Sequence, residues 1–408
     1  MKPLGPIPEG FAARDGELMI GSQSARVLVE RAGRTPLFAY SREMIDLRIA
    51  TLRRVLPDRI KLNYAIKANS FAPLLEFMAS RVDGFDIASG GELEMARASG
   101  MPADQTSFAG PGKRDEELAA AIEAGVTINL ESENEAERAL RIAREQNCRP
   151  RLAIRVNPNF ELRGSGMKMG GGAKPFGIDA ERVPAFARDL IDAGCEWRGL
   201  HIFTGSQSLD ADAIVEAQEN VIAVADMIAR EAGVDIPKLN MGGGFGIPYF
   251  AKDEPLDIER IGQALNDMTS TLPATLTQTE LHIELGRYLV GEAGVYLTRI
   301  VDRKESHGEA FLVTDGGLHH QLAASGNFGT VVRRNYPLAI ADRFDASGEE
   351  VVNVVGCLCT PLDRLADKAL LPRAEIGDLV AVFCAGAYGA SASPSAFLGQ
   401  GPAAEILV

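Results

Sequence analysis

Short runs of β-branched and aromatic residues alternate along most of the chain with stretches whose apolar positions recur every three or four residues. The runs at Leu37–Tyr40, Ile60–Ile66, Gly84–Ile87, Thr106–Ala109, Val126–Leu130, Leu152–Val156, Leu200–Phe203, Lys238–Asn240 and Leu281–Glu284 predict strands. Segments such as Met44–Leu56 and Ile214–Ala232 predict the helices between them. Ser89-Gly-Gly-Glu92 and Ser132-Glu-Asn-Glu135 have capping-box spacing, in which hydroxyl and carboxylate each satisfy an orphan N–H. Parallel neighbours need crossover connections, so repeated strand-then-helix units imply a parallel sheet. Some eight such units in about 250 residues fit an α/β fold of the closed (β/α)8, TIM-like barrel type, spanning 35–285.

The pattern changes after Arg287. Val295–Val301, Ala310–Thr314, Val351–Val355 and Leu379–Phe383 are β-rich and separated by Gly, Pro and Asp turns, which predicts a second, mostly antiparallel β-domain over 286–408. On pattern alone the first 34 residues, with a strand-like Leu18–Ile20, join either domain. The polar, glycine-rich stretch Asn157–Lys174 exceeds ordinary loop length and reads as a mobile lid or a disordered segment.

Strand alternation then locates candidate chemistry. In Ile60–Lys67 one face carries Ile60, Leu62, Tyr64 and Ile66, and the other Lys61, Asn63, Ala65 and Lys67. Packing the apolar face under helices leaves Lys67 inside the barrel mouth at the strand's C-terminal end, where barrel active sites lie. His282 with Glu284, and Arg155 with Asn157, fall on non-apolar faces at other strand ends. Singly, each has a plain reading: a strand-end lysine is ordinarily solvated, and Glu284 with Arg287 is a simple salt bridge. Their coincidence at matching positions on different strands favours a site. Gly242-Gly-Gly-Phe-Gly246 follows a strand and suits an anion nest, but it lacks the dinucleotide fingerprint and the Walker lysine and hydroxyl. A small phosphate ligand beside a reactive lysine is what pyridoxal phosphate requires.

Charge and cysteine content narrow the class. Lys and Arg number 42 against 56 Asp and Glu, a net charge of −14, which offers no basic footprint for nucleic acid or anionic membrane. No apolar run approaches the roughly 18–20 residues of a membrane helix, and Met1–Gly10 lacks the regions of a secretory signal. Five cysteines, with only Cys357 and Cys359 close together, are neither a disulfide framework nor a zinc site. A cytoplasmic enzyme without a metal is expected.

Six motifs occur in order: Asn63-Tyr-Ala-Ile-Lys-Ala-Asn69, Phe85-Asp-Ile-Ala-Ser-Gly-Gly-Glu-Leu93, Gly242-Gly-Gly-Phe-Gly246, Glu284-Leu-Gly-Arg287, Cys359-Thr-Pro-Leu-Asp363 and Gly386-Ala-Tyr-Gly389. From about Thr35 onward the chain resembles the fold-type III pyridoxal-phosphate decarboxylases, which act on diaminopimelate, ornithine and arginine and share the architecture of alanine racemase. The resemblance implies that Lys67 is the Schiff-base lysine, with Asp86 near it. His201 would stack on the pyridine ring, and Glu284 would pair with its nitrogen. Gly243, Gly244, Arg287 and Tyr388 would hold the phosphate. Cys359, Thr360, Asp363, Arg155 and Tyr388 would meet the amino-acid substrate, with Cys359 and Asp363 reaching into a neighbouring subunit's site in a homodimer. Cys359 or the freed Lys67 would return a proton to Cα. The resemblance also assigns 1–34 to the β-domain.

Departures from the family pattern bear on the substrate. His201-Ile-Phe-Thr-Gly-Ser206 has two residues more than the usual His-x-Gly-Ser, which leaves Thr204 and Ser206 as alternative phosphate contacts. Leu285 replaces a usual proline without consequence for chemistry. Thr360 stands where diaminopimelate and ornithine decarboxylases carry an acid for the distal ammonium. Leu318-His-His-Gln-Leu-Ala lacks the Arg-Pro-aromatic run expected to grip diaminopimelate's second carboxylate, and Ser393-Pro-Ser-Ala-Phe397 replaces an Asn-Tyr-Asn-like segment. Cys-Thr-Pro-Leu-Asp is similar to a subgroup acting on amino acids tethered to an acyl-carrier protein, such as a glutamyl thioester. Arg163, Lys168, Arg333 and Arg334 are candidate carrier contacts. The alternatives are diaminopimelate decarboxylase of lysine biosynthesis, a racemase, against which Glu284 argues because racemases place Arg there, and a non-catalytic homologue, against which the retained motif residues argue.

Overall fold

The computed structural model describes residues 1–326 and 333–408. They form two compact units, one made of Ile49–Gly246 and Leu256–Leu285, the other of Met1–Arg48, Ile247–Pro255 and Gly286–Val408.

The first unit is a closed parallel barrel. Its strands are β1 (Ile60–Ala65), β2 (Gly84–Ile87), β3 (Thr106–Phe108), β4 (Thr127–Leu130), β5 (Arg151–Asn157), β6 (Glu196–His201), β7 (Lys238–Asn240) and β8 (Glu280–Leu285). Each pairs in parallel with the next, and β8 returns to β1, setting Glu284 opposite Asn63. Helices Ala72–Ala79, Gly90–Ala98, Asp115–Ala124, Glu133–Glu145, Val183–Asp192, Ala211–Ala232 and Ile258–Ser270 follow the first seven strands. Ser89 and Ser132 cap their helices by accepting from the N–H groups of Glu92 and Glu135, both at 3.1 Å. The carboxylate half of each box differs from expectation: Glu92 accepts from Ala88 N (2.6 Å) and Glu135 from Glu131 N (2.9 Å), one residue before the cap. Glu135's other oxygen meets Lys113 at 2.6 Å in a fully buried ion pair, and Lys113 also donates to the Gly110 and Asn129 carbonyls.

Residues 157–174, expected to be a mobile lid or disordered, have a defined path. Met167–Lys168 pairs antiparallel with Gly205–Ser206, and Ile178–Asp179 extends the barrel sheet beside the end of β5.

The second unit is a mixed β-sheet. Its central strand, Gly294–Ser306, pairs antiparallel with Glu309–Thr314, Leu379–Val382 and Leu37–Tyr40. Leu37–Tyr40 is a strand as predicted, but it lies here rather than opening the barrel, and the C-terminal strand Ala404–Leu407 covers its other edge in parallel. A run buried on both faces carries no mark of which sheet it enters. Leu37, Ala39, Val295, Leu297, Leu379 and Ala381 point at period two into one core, which Leu18, Ile20 and Leu28 close.

Two histidines, one in each unit, tie stability to pH. Burial lowers His282 to about 4, despite its contacts with Asn63 Oδ1 (3.0 Å) and Glu280. Burial likewise lowers His320 to about 4, against the pull of the Gly401 carbonyl at 2.9 Å. Because the folded values lie below the unfolded one near 6.5, the unfolded chain takes up protons first. Stability should therefore be fully present above about pH 6.5 and fall toward pH 4, by at most about 1.4 kcal/mol per pH unit per imidazole. Denaturant unfolding at pH 7.5 and 5 checks this, and His282→Gln should flatten the dependence; pH-independent midpoints contradict it. Glu135→Ala strands a buried ammonium and should lower the unfolding free energy by about 3–5 kcal/mol.

Candidate active site

The register of the barrel brings the polar strand-end residues into one row. Arg155 on β5 lies opposite His201 on β6, His201 opposite Asn240 on β7, and Asn240 opposite His282 on β8. The centre of the group is Glu284. One of its oxygens meets His201 Nε2 at 3.0 Å and accepts from Asn240 Nδ2 at 2.9 Å. Burial alone would raise this carboxyl, but attraction to His201, and then to Lys67 and Arg155, holds it low and therefore ionised. Two strands away, on β2, Asp86 behaves oppositely: burial, then the Glu284 charge, raises it to about 6. Ser107 donates to Asp86 and accepts from Asn129 Nδ2 at 3.2 Å, continuing the polar layer over β2, β3 and β4.

Lys67 lies just past the end of β1, on the 3-10 turn Ile66–Ala68, and is exposed at the barrel mouth, with its Nζ 5.7 Å from the centre of the Phe203 ring. Phe203 in turn packs on the glycine turn. A Cβ on Gly242 (φ 68°) would come within 3.1 Å of the Phe203 ring, one on Gly243 within 2.1 Å of the Glu284 carbonyl, and one on Gly244 (φ 84°) within 2.7 Å of Leu162. Gly242 and Gly244 need the left-handed region, and Gly243 lets β7's exit lie directly against β8. The turn is strapped to 204–208: Ser208 N donates to Gly244 O (2.9 Å) and Gly246 N to Ser208 O (2.8 Å). Ser206 is half-buried there, while Thr204 is buried and its carbonyl accepts from Met169 and Gly170.

Two buried polar atoms at this mouth, His201 Nδ1 and Asp86 Oδ2, have no hydrogen-bond partner. Together with the glycine turn and the nearby lysine, they fit a small phosphorylated, hydrogen-bonding aromatic group such as pyridoxal phosphate.

Arg155 is placed differently from a free substrate contact. It is buried and bound to Glu131 at 2.8 Å, with its guanidinium 4.9 Å from the centre of the Phe176 ring. Asn240, Ser107, Glu131 and Phe203 were not singled out in the sequence. Asn240 and Ser107 occupy strand positions level with residues that were, and register was the signal that could have found them.

Most of the remaining predicted residues belong to the second unit. Arg287 donates to the Tyr249 hydroxyl at 2.7 Å, and its guanidinium lies 4.7 Å from the centre of the Tyr388 ring, while its Nε has no partner. Tyr388 adopts a φ of 58°, in a loop whose Gly386 has no room for a Cβ against Val290 O. Cys359 is exposed and Thr360 half-buried, its hydroxyl accepting from Leu362 N at 3.4 Å. Asp363, expected to reach a neighbouring site, is instead 2% exposed and accepts from Leu318 N (2.7 Å) and Leu358 N (2.8 Å). It thus joins the Leu318-His-His segment to the Cys359 loop. Arg333 donates to the Ser325, Leu362 and Arg364 carbonyls, Arg334 lies over Phe250 at 3.6 Å, and Arg163 pairs with Glu216. The side chain of Lys168 lies outside what the structure describes. Among the described residues no His, Cys, Asp and Glu cluster could hold a metal, and no helix is long and apolar enough to cross a membrane.

Residues 42–291 match the family model of the pyridoxal-dependent decarboxylases' pyridoxal binding domain. The chain is 36% identical over 383 residues to the L-glutamyl-[BtrI acyl-carrier protein] decarboxylase of Niallia circulans, covering 91% of this chain and 88% of that one. It is 32% identical over 401 residues to the diaminopimelate decarboxylase of Archaeoglobus fulgidus, with 98% and 93% covered. The solved diaminopimelate decarboxylase of M. jannaschii in co-complex with L-lysine matches with a TM-score of 0.84 and 26% identity, over 98% of this chain and 93% of that one. With the barrel, the lysine at its mouth and the glycine turn already in place, the match over most of the chain settles the class: the chain belongs to the pyridoxal-dependent decarboxylases, carboxy-lyases that use pyridoxal phosphate.

Proposed function

We propose that this decarboxylase acts on an amino acid whose distal end carries no charge, such as a glutamyl thioester on an acyl-carrier protein. The observation that carries this reading is the state of the Cys359–Asp363 loop. Its position after the cysteine is Thr360, and its one carboxylate, Asp363, is buried and bound to two backbone amides. Neither residue offers the counter-charge that a distal ammonium needs once it leaves water. The segment joined to this loop is neutral too: burial lowers His319 and His320, and Gln321 is an amide. Similarity to a decarboxylase of a carrier-bound glutamyl group supports the same choice. Similarity to diaminopimelate decarboxylases keeps free diaminopimelate as the second reading.

Each residue's role follows from its surroundings. Lys67, at the mouth, would hold the cofactor's aldehyde carbon. Gly243, Gly244 and Ser206, with Arg287 and Tyr388, would anchor the phosphate, through backbone N–H groups and a fixed cation. His201 would lie against the ring. Glu284, kept ionised, would hold a proton at the ring nitrogen, and Asp86 would stay near the lysine. When bound, pyridoxal phosphate supplies the electron-withdrawing ring that accepts the electron pair released as CO2 departs. Cys359 or Lys67 would deliver the proton that replaces the carboxylate at Cα. Thr360 would face the distal end of the substrate. We place the enzyme in the cytoplasm as a homodimer with shared sites, a reading supported by the exposed Cys359 loop and by the family resemblance.

Purified protein supplied with free diaminopimelate, lysine, ornithine and glutamate, and with carrier-bound glutamate, should release CO2 fastest from the carrier-bound substrate. Robust turnover of free diaminopimelate would overturn the neutral-end reading. Thr360→Glu should shift selectivity toward free diamino acids by about tenfold or more in kcat/KM, by restoring a counter-charge. Lys67→Ala should abolish turnover together with the visible absorbance of lysine-bound cofactor. Persistence of that band would show that a different amine holds the cofactor.

A further inference from the structure

Three segments at the barrel mouth end on one carboxylate. Glu131, just past β4, is buried, and its Oε1 accepts from Arg155 Nη1 at 2.8 Å and from Gly110 N at 2.7 Å. Its Oε2 accepts from Gly177 N at 2.8 Å. These donors come from β5, from the turn after β3, and from the far end of the long 157–177 segment. Glu131 is itself fixed from behind, because its N–H donates to Glu135, the carboxylate of the buried pair with Lys113. Burial opposes ionisation, but the Arg155 and Lys113 charges and the donated amides hold the Glu131 carboxyl below its ordinary value.

The long segment that ends at Gly177 runs across the glycine turn. Leu162 fills the space that a side chain on Gly244 would need. Gly166 N donates to Ser206 O (2.9 Å), and Met169 N and Gly170 N donate to Thr204 O (3.1 and 3.2 Å). Asn157 Nδ2 reaches Gly172 O at 2.9 Å. The segment is thus pinned over the nest at its middle and held at its exit by the Asn157 side chain and by Glu131. Arg155 contributes to keeping Glu284 ionised, so where Glu131 holds Arg155 also matters to the group opposite the cofactor.

We propose that Glu131 is a positioning residue that fixes Arg155 at the barrel rim and latches the 157–177 segment over the phosphate nest, so that its loss frees both the segment and the cofactor. The inference rests on the reading of this mouth as the pyridoxal phosphate site. Both Glu131 oxygens are committed to Arg155, Gly110 and Gly177, so it acts through Arg155 and the Gly177 amide. Glutamine at this position keeps the shape but lacks the charge and one acceptor, whereas aspartate keeps the charge and withdraws it by one methylene.

The test uses the full chain, with and without bound pyridoxal phosphate. Glu131→Gln should raise the cofactor's dissociation constant at least about tenfold, which corresponds to about 1.4 kcal/mol. It should also speed limited proteolysis within 157–177 in the cofactor-free protein, with an unchanged cleavage rate elsewhere. Glu131→Asp should be intermediate on both measures, and Arg155→Gln combined with Glu131→Gln should lose less than the sum of the two. Wild-type cofactor affinity and an unaltered cleavage rate in 157–177 for either Glu131 variant would overturn the latch. If Glu131→Gln does not fold, the Glu131→Asp result decides alone. Failure of the wild-type protein to bind pyridoxal phosphate at all would instead overturn the reading of the site.

Discussion

An ionised carboxylate inside a closed barrel is the constraint on which the rest of the site depends. Removing Glu284 from water carries a desolvation penalty of several kcal/mol, and the protein offsets it with partners from the neighbouring strands β6 and β7. His201 and Asn240 share one oxygen, and Lys67 and Arg155 add positive charge from farther off. On its other side β8 returns to β1 and closes the sheet, aligning Glu284 with Asn63 and His282 with Lys61. The same charge is felt by Asp86, which burial and that repulsion push up, so two carboxyls of similar intrinsic acidity are driven apart. Separation of this kind is how one pocket can keep one acid ionised while another sits near its titration point.

Two buried ion pairs, Lys113 with Glu135 and Arg155 with Glu131, hold loops in place. Lys113 and Glu135 hold the turn after β3 against the helix after β4, and Glu131 with Arg155 does the same between β4 and β5. Such pairs contribute little net stability compared with apolar replacements, but breaking one leaves an uncompensated buried charge. In this protein they fix the course of segments that have no sheet or helix of their own to hold them.

Much of this was legible in the sequence, and the failures have identifiable causes. The alternation of strand and helix signals was enough for the barrel, because each unit carries its own period and its own caps. Lys67, His282 and Glu284 stood out because polar residues at strand ends interrupt apolar runs. Leu37–Tyr40 was recognised as a strand but placed in the wrong sheet, since four residues buried on both faces say nothing about their neighbours. Glu135 looked like one half of a capping box, and its second role, bound to buried Lys113, needs a partner 22 residues away that no local pattern reveals. Asp363 sat in a family motif that implied reach toward a substrate, whereas its surroundings commit it to two amides. Glycine content made 157–174 read as a mobile lid or a disordered segment, yet hydrogen bonds that order it come from Thr204 and Ser206, both distant in sequence.

The buried ionic groups Glu284 and Arg155 lie on strand ends of the barrel, where register leaves them little freedom and a substitution would strand a buried ion. The residues that depart from the family pattern, Thr360 and the Leu318-His-His segment, lie on loops of the other unit. There the anchoring is done by backbone amides on Asp363 and by Arg333 on carbonyls. An anchor made to backbone does not care which side chains the loop displays. Side chains on such loops can therefore change from charged to neutral without disturbing the fold, while the barrel's ionised centre stays as it is. The proposed substrate with a neutral distal end would then require only the loss of a counter-charge on a loop, with no new element of structure.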